Sequence, residues 1–177
     1  MSSEVEGSDF FTNQFLDKSF EKDQIITNFD EIENNLYFLK KGIVRFIVLK
    51  GTEEKTLDFA FEGEFFSAYS SFLTRQPSRS AIISLTNVEC GAISYDQLQK
   101  VYAETDNGEK IGRIAAENLF IKKTKREMDL LTLDPDEKYQ KLLKKYPHLV
   151  KHIPLKYLAS YLGMTPETLS RVRSRIS

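Results

Sequence analysis

Glu167 and Arg171, near the C-terminus, carry side chains that can hydrogen-bond to base edges in DNA. A glutamate carboxylate can accept from the amino group of cytosine, and an arginine guanidinium can donate two hydrogen bonds to the edge of guanine. The two residues are four positions apart, so on a helix they point in the same direction. A mutual ion pair on a solvated face is the alternative interpretation, and it is compatible with a DNA contact.

The surrounding segment, LKYLASYLGMTPETLSRVRS, has the pattern of a helix-turn-helix. A close crossing of two helices favours a small residue in the first helix and glycine at the turn, and Ala159 and Gly163 meet this requirement. Thr165 is a favourable N-cap and Pro166 a favourable first residue for the second helix. A generic helical hairpin is the alternative. The apolar residues expected to form the shared core are Leu158, Leu162, Met164, Leu169 and Val172.

Further polar and basic residues of this segment are predicted to contact DNA, mostly at phosphates. In a helix-turn-helix the second helix lies in the major groove, with its N-terminal half towards the bases. Phosphate contacts add affinity without sequence information. Since the sequence stops directly after this helix, we expect no complete β-wing. Besides Glu167 and Arg171, the predicted DNA-contacting residues are Lys156, Tyr157, Thr165, Thr168, Ser170, Arg173 and Arg175.

Charge is distributed unevenly along the chain. Residues 138–177 contain nine Lys and Arg against one acidic residue, a net charge of +8, so the rest of the chain carries −9. A basic segment on an acidic body is typical of a module that meets a polyanion, although a solvated lysine-rich helix gives the same pattern.

The stretch from Asp96 to Leu133 contains no proline and is rich in Lys, Glu, Ala and Leu, which favours a long helix. One register within it has 3-4-3-4-3 spacing and two polar positions. Polar seam residues cost stability but fix the register of paired helices, so the pattern favours a two-stranded dimer contact. An amphipathic helix lying on its own domain is the alternative. The predicted dimer residues are Ile111, Ile114, Asn118, Ile121, Lys125 and Met128.

Short apolar runs separated by turn residues fill the segment from about Ser19 to Ser94. One of them, Thr56–Phe61, alternates so that Leu57, Phe59 and Phe61 share one face of a predicted strand. Many short strands at roughly ten-residue spacing favour a sandwich or barrel-like roll over a βαβ arrangement.

Composition argues against several other classes of protein. An apolar share of 41 % is sufficient for a packed core. Cys90 is the single cysteine, which excludes an intrachain disulfide and a cysteine-ligated iron–sulfur cluster and fits a reducing compartment. The acidic N-terminal segment does not resemble a signal peptide, and no apolar run is long enough to span a membrane. We therefore expect a soluble cytoplasmic protein without a membrane partner.

No catalytic or metal-binding arrangement is predicted. The sequence has no glycine-rich phosphate loop. A cupin-type enzyme, the main alternative, would hold a metal with two or three histidines and a carboxylate. The two histidines, His148 and His152, lie outside the predicted roll in the basic segment. We therefore expect a protein that is not an enzyme and holds no metal.

Four motifs together resemble the Crp–Fnr family, the relatives of the catabolite activator protein. Besides the helix-turn-helix, they are LYFLKKGIVRF, FEGEFFSAYSSFLTRQPSRSA and ISYDQL. The resemblance extends from about Ser19 to Ser177 and is strongest to the short, wingless branch common in Bacteroidetes. It implies transcription regulation by a homodimer that binds double-stranded DNA at a palindromic operator, with RNA polymerase as a further partner.

The resemblance also implies the fold and its division. An α+β chain is expected, with an N-terminal double-stranded β-helix, or jelly roll, of the cyclic-nucleotide-binding type. A long dimerisation helix and the helix-turn-helix, without a complete wing, follow the roll. The expected domains are the roll in residues 1–102, the dimerisation helix in residues 103–133 and the DNA-binding domain in residues 134–177.

At the effector site that the resemblance implies, this sequence departs from the family pattern. In relatives that bind cyclic AMP, a Gly-Glu pair holds the phosphate and a ribose hydroxyl, and an Arg-Ser pair neutralises the phosphate. Ser67 and Ala68 stand at the first pair, and Ala68 has no group to bind a hydroxyl. We therefore expect an unidentified small-molecule effector other than cyclic AMP, or an Arg79 that only pairs with a nearby acid. The predicted effector-site residues are Gly63, Glu64, Ser67, Arg79 and Ser80.

Two further hypotheses remain open at this point. The roll could serve as a ligand-sensing or protein-interaction module in a chain that has lost DNA binding, or the chain could bind DNA constitutively. Phosphate contacts make DNA affinity fall steeply with salt, whereas an apolar protein contact does not respond in this way. An effector that shifts the dimer helix would change the spacing of the two recognition helices relative to one turn of DNA.

Overall fold

The computed structural model describes residues 14–104, 108–147 and 149–176. The chain divides into two compact units, one formed by residues 1–48 and 58–116 and the other by residues 49–57 and 117–177. The second unit thus includes the turn between two strands of the roll. The three predicted domains stay a prediction, and the predicted boundary after residue 102 falls inside a helix, Tyr95–Glu104.

The described part of the roll consists of two antiparallel four-stranded sheets, with strand orders β1-β8-β3-β6 and β2-β7-β4-β5. β3 pairs with β8 from Asn35 opposite Ser94 to Lys41 opposite Glu89. This jelly-roll sandwich confirms the predicted fold class. The strands are β1 (Leu16–Phe20), β2 (Ile25–Thr27), β3 (Asn35–Lys41), β4 (Val44–Lys50), β5 (Glu53–Ala60), β6 (Phe65–Phe66), β7 (Ala81–Ser84) and β8 (Val88–Ser94).

The core of the roll lies between the sheets. In β3, Tyr37 and Leu39 are buried while Lys40 is exposed, which is the alternation expected of a strand with one solvated face. β5 does not follow the predicted alternation: Leu57 is exposed, whereas every residue from 58 to 61 is buried. A strand end covered on both sides has no polar face, so its burial pattern loses the two-residue period.

The described helices are α1 (Tyr69–Thr74), α2 (Tyr95–Glu104), α3 (Gly108–Thr132), α4 (Pro135–Lys145), α5 (Leu155–Leu162) and α6 (Pro166–Ile176). A short 3₁₀ helix, Leu149–Lys151, precedes α5. α4 begins with a capping box, in which the Asp134 side chain accepts from the Glu137 N–H and the Glu137 side chain accepts from the Asp134 N–H. Pro135 occupies its first turn, as predicted, and needs no hydrogen-bond partner there.

Candidate DNA-binding surface and effector site

The turn between α5 and α6 has the geometry that the helix-turn-helix pattern predicts. Ala159 is fully buried, and Gly163 adopts a left-handed conformation with φ of +69°. This conformation is costly for residues other than glycine. The Met164 N–H donates to the Ala159 carbonyl at 3.0 Å and ends α5.

α6 is fixed by its buried face and by its N-terminus. Leu169 and Val172 are fully buried, together with Leu158 of α5. The Thr165 hydroxyl accepts from the Thr168 N–H at 3.2 Å, which is the predicted N-cap bond. Because the helix is held from one side and at its start, its opposite face has a defined orientation.

The opposite face of α6 exposes Glu167, Ser170, Arg171 and Ser174. Ser174 was not predicted from the sequence, although it lies four positions after Ser170 and three after Arg171 on the same face. Its hydroxyl donates to the Ser170 carbonyl at 3.1 Å. Carboxylate, hydroxyl and guanidinium groups are thus presented together, as base and phosphate contacts require.

Glu167 and Arg171 remain available to an external partner. Among the described residues they form no ion pair with each other, in contrast to the alternative considered above. A hydrogen bond from its own backbone N–H holds the pKa of Glu167 below its ordinary value. The Thr165 hydroxyl and the Arg171 guanidinium lower that pKa further. Glu167 is therefore ionised at neutral pH and can only accept hydrogen bonds.

Arg173 and Arg175 are engaged within the second unit, which the sequence did not predict. The Arg173 guanidinium lies 5.7 Å from the centre of the Tyr139 ring and is half-buried. This packing favours a structural role over the predicted phosphate contact. Arg175 forms an ion pair with Asp136 at 2.6 Å and would have to exchange this partner for a phosphate.

The other predicted DNA-contacting positions are exposed or half-exposed. Lys156 is exposed, and its ammonium lies 4.8 Å from the centre of the half-buried Tyr157 ring. Thr165 is exposed and Thr168 half-buried, and their hydroxyl oxygens lie 3.2 Å apart. Of the two histidines, His152 is exposed and His148 lies outside the described residues. Over the described residues, no group of three His, Cys, Asp or Glu side chains could hold a metal ion.

In the predicted effector site, Gly63 and Glu64 serve the turn that joins β5 to β6. The Gly63 N–H donates to the Leu39 carbonyl at 2.8 Å, and the Leu39 N–H donates to the Glu64 carbonyl at 2.9 Å. The Glu64 carboxylate accepts from the Phe61 N–H at 3.3 Å. Gly63 and Glu64 therefore connect the turn between β5 and β6 to β3.

Ser67 and Ala68 are buried, and their polar groups have partners within the roll. The Ser67 hydroxyl donates to the Asn35 carbonyl at 2.9 Å. The Ala68 N–H points to the Glu33 carboxylate, with a donor–acceptor distance of 3.5 Å. Glu33 is only 2 % exposed and also accepts from the Thr27 hydroxyl at 2.5 Å and the Asn35 N–H at 2.9 Å. An internal carboxylate thus lies at the pair that holds phosphate and ribose in the family pattern.

The sequence did not single out Glu33 or Arg75. Arg75 ends α1 with φ of 58° and donates to the Glu33 carbonyl at 2.7 Å. Its guanidinium also lies 4.7 Å from the centre of the Tyr95 ring. Arg79, by contrast, is exposed and has no hydrogen bond or ion pair among the described residues, so it does not pair with a nearby acid. Ser80 is half-buried, and its N–H donates to the Ser78 hydroxyl at 3.2 Å.

The exposed apolar face of α3 differs from the predicted seam. Ile111, predicted to lie on the dimer seam, is half-buried and packs against the core cluster of Phe72, Ile93, Leu98 and Val101. Ile114 is half-buried, and the two polar positions, Asn118 and Lys125, are exposed. The exposed apolar side chains of α3, with their exposed fractions, are Phe120 (72 %), Ile121 (49 %), Met128 (54 %) and Leu131 (81 %).

Cys90 is buried within the core of the roll. Burial raises the pKa of its thiol to about 11. Since the thiolate is the reactive form, this cysteine is an inert core residue at neutral pH.

Solved structures with the same fold cover most of this chain. FixK2 from Bradyrhizobium japonicum matches 92 % of this chain and 84 % of its own, with 19 % identity and a TM-score of 0.79. CLP, the c-di-GMP-responsive global regulator of Xanthomonas campestris, matches 95 % of this chain and 89 % of its own, with 17 % identity and a TM-score of 0.73. A Crp/Fnr-family transcriptional regulator from Eubacterium rectale matches 95 % and 81 %, with 15 % identity and a TM-score of 0.71. The fold is that of Crp–Fnr regulators.

The family follows from the sequence itself. The family model described as the cyclic nucleotide-binding domain matches residues 17–105, just over half of the chain. The chain therefore belongs to the cyclic nucleotide-binding domain family. No curated protein sequence matches it. Among the described helices, none is long and apolar enough to cross a membrane.

Proposed function

We propose that this protein regulates transcription by binding a palindromic DNA operator as a homodimer, with α6 in the major groove. The observation that carries the proposal is the arrangement of α6. Leu169 and Val172 anchor the helix from one side, while Glu167, Ser170 and Arg171 project from the other. A recognition helix needs this combination of a rigid buried face and an exposed face that can bond to base edges.

The homodimer is supported by the exposed apolar face of α3. Ile121, Thr124, Met128 and Leu131 follow 3-4-3 spacing, and Phe120 flanks them. Such a stripe on a 25-residue helix matches the seam of a two-stranded coiled coil. A second copy of the chain offers the same stripe, and an isologous contact of this kind generates the two-fold symmetry that a palindrome mirrors. The contact with RNA polymerase remains a prediction from the family resemblance.

We further propose that cyclic AMP is not the effector. Placing a phosphate beside Ser67 and Ala68 would bring a second negative charge towards the buried Glu33 carboxylate. Two like charges in a site of low polarity repel each other strongly. The family match places the cyclic-nucleotide-binding domain at residues 17–105. The hydrogen bonds of the Glu33 carboxylate support the view that this side chain occupies the position that a ligand phosphate would take.

A random duplex library tests the DNA-binding proposal directly. The wild-type protein should enrich a palindrome, and the enrichment should fall steeply as salt is raised, because phosphate contacts release counterions. Arg171→Ala should lose about 1–3 kcal/mol of discrimination at one base position in each half-site. Lys100→Ala, which removes an exposed cation from α2, is the matched control and should enrich the same palindrome as the wild type.

Two outcomes would contradict the proposal. Enrichment of the same palindrome by Arg171→Ala with unchanged base preference would mean that α6 does not contact the bases as described. Binding that is insensitive to salt, or no enrichment by the wild type, would favour the protein-interaction hypothesis instead.

A further inference from the structure

Arg126, on α3, contacts the last turn of α5, and all of these residues belong to the second unit. Its guanidinium Nη2 donates to the Tyr161 carbonyl at 3.0 Å. The guanidinium carbon lies 4.4 Å from the centre of the Tyr161 ring, within the range of a cation–π interaction. One arginine thus contacts both the backbone and the side chain of the same residue.

The Tyr161 carbonyl lies in the last turn of α5. The last four carbonyls of an α-helix have no intrahelical donor. The Met164 and Gly163 N–H groups donate to the Ala159 and Ser160 carbonyls. Arg126 supplies a donor for the next carbonyl, and its positive charge lies at the negative end of the α5 dipole.

A second contact from α3 lies one helical turn further on. The Leu130 Cδ2 atom is 3.5 Å from the position that a Cβ on Gly163 would occupy. Arg126 and Leu130 are four positions apart and therefore share a face of α3. Through them α3 contacts the end of α5 and the turn that leads into α6.

Burial of part of the Arg126 side chain lowers the stability of the folded chain. Within the described residues, the buried Nε atom of Arg126 has no hydrogen-bond partner. A buried polar atom without a partner is destabilising and calls for an explanation. A leucine or methionine at this position would avoid that cost but would lose the hydrogen bond to the Tyr161 carbonyl and the cation–π contact with its ring.

We propose that Arg126 is the positioning residue that fixes the angle between α3 and the helix-turn-helix, and so sets the spacing of the two DNA half-sites that the dimer accepts. This rests on the proposed function, in which α3 forms the dimer contact. A change of one base pair in spacing moves a half-site by about 3.4 Å and rotates it by about 34° around the DNA axis. If the connection between α3 and α6 is rigid, the dimer should bind a site of altered spacing more weakly. If the connection is loose, the dimer should bind sites of neighbouring spacing with similar affinity.

The test compares Arg126→Met, Arg126→Lys and Lys123→Met. Arg126→Met keeps a long side chain but removes the charge and the donors, and Arg126→Lys restores a charge and a donor. Lys123→Met removes an exposed cation from the same helix as a control. Each protein is titrated with palindromes that have identical half-sites and differ in spacing by one to three base pairs, and with a single half-site.

The wild type, Arg126→Lys and Lys123→Met should prefer one spacing by about tenfold or more, whereas Arg126→Met should accept neighbouring spacings within about threefold. Affinity for the single half-site should be unchanged in Arg126→Met, since a variant that merely unfolds the module would lose half-site binding as well. An equally sharp spacing preference in Arg126→Met would overturn the proposal.

A measurement without DNA separates this proposal from the proposed function. Spin labels at Glu127→Cys on α3 and Ser174→Cys on α6 report the distance between the two helices, with labelled chains diluted in unlabelled protein. The distance distribution should be narrow in the labelled protein that retains Arg126 and in its Arg126→Lys variant, and broad in Arg126→Met. Identical narrow distributions would overturn the role of Arg126, even if the wild type failed to enrich any palindrome.

Discussion

The exposed face of α6 and the predicted effector site of the roll use similar residue types in opposite ways. On α6, Glu167, Ser170 and Arg171 project from the surface. In the roll, the Glu33 carboxylate and the Arg75 guanidinium are bonded to groups of the same domain. Polar side chains that face solvent in this way can bind an external partner such as DNA. Polar groups that already have hydrogen-bond partners within the domain leave little for a small charged ligand to gain.

The first prediction concerns the buried face that anchors α6. Leu169→Ala creates a cavity under α6 and should destabilise the second unit by about 2–5 kcal/mol. Thermal or denaturant unfolding measures the loss, and operator binding should disappear with it. Leu73→Ala, at a half-exposed leucine of the roll, is the control and should change stability by less than about 0.5 kcal/mol. A Leu169→Ala protein of normal stability would show that α6 is not anchored as described.

The second prediction concerns the buried Glu33 carboxylate in the predicted effector site of the roll. Glu33→Ala leaves buried donors without partners, at about 1–3 kcal/mol for each donor that water does not reach. Acetate or formate should restore part of the lost stability, because either anion can occupy the vacated position, and denaturant unfolding with and without the anion measures this. Glu21→Ala, at an exposed glutamate, should show neither effect. Equal stability of Glu33→Ala and the wild type would contradict an internally filled site.

The seam proposed on the exposed apolar face of α3 is distinguished from the seam predicted by the heptad spacing through a pair of charge substitutions. Leu131→Glu places a charge on the exposed apolar face and should weaken the dimer by about tenfold or more, which corresponds to about 1.4 kcal/mol. Lys125→Glu changes a predicted seam position that lies beside this face and should have a smaller effect. Light scattering over a range of concentrations measures both. If Lys125→Glu dissociates the dimer and Leu131→Glu does not, the contact follows the seam predicted from the heptad spacing.

The helix-turn-helix was predictable from the sequence because its constraints are local. The small residue, the turn glycine, the N-cap and the shared core all fall within twenty consecutive residues, and Ala159, Gly163 and Thr165 take the expected roles. The jelly roll came from the family resemblance, since short strands at even spacing are compatible with several topologies.

The remaining features depend on contacts between distant parts of the sequence. The place of the Glu33 carboxylate beside Ala68, which is 35 positions away, becomes visible only in the folded chain. The packing of Ile111 against the roll was not predicted, because periodicity alone does not show which face of a helix residues distant in the sequence will cover. The contacts of Arg126 with Tyr161 and of Arg173 with Tyr139 were not predicted for the same reason.

The contrast between the two regions is tested most directly by titrating the enriched palindrome with wild-type protein, with and without a large excess of cyclic AMP or cyclic GMP. We predict identical affinity in all three titrations, because the α6 surface is already formed and the Glu33 carboxylate already accepts hydrogen bonds beside Ala68. A cyclic nucleotide that raises operator affinity tenfold or more, about 1.4 kcal/mol, would contradict this account. It would show that Glu33 yields its position to a phosphate and that the roll retains the ligand of its family.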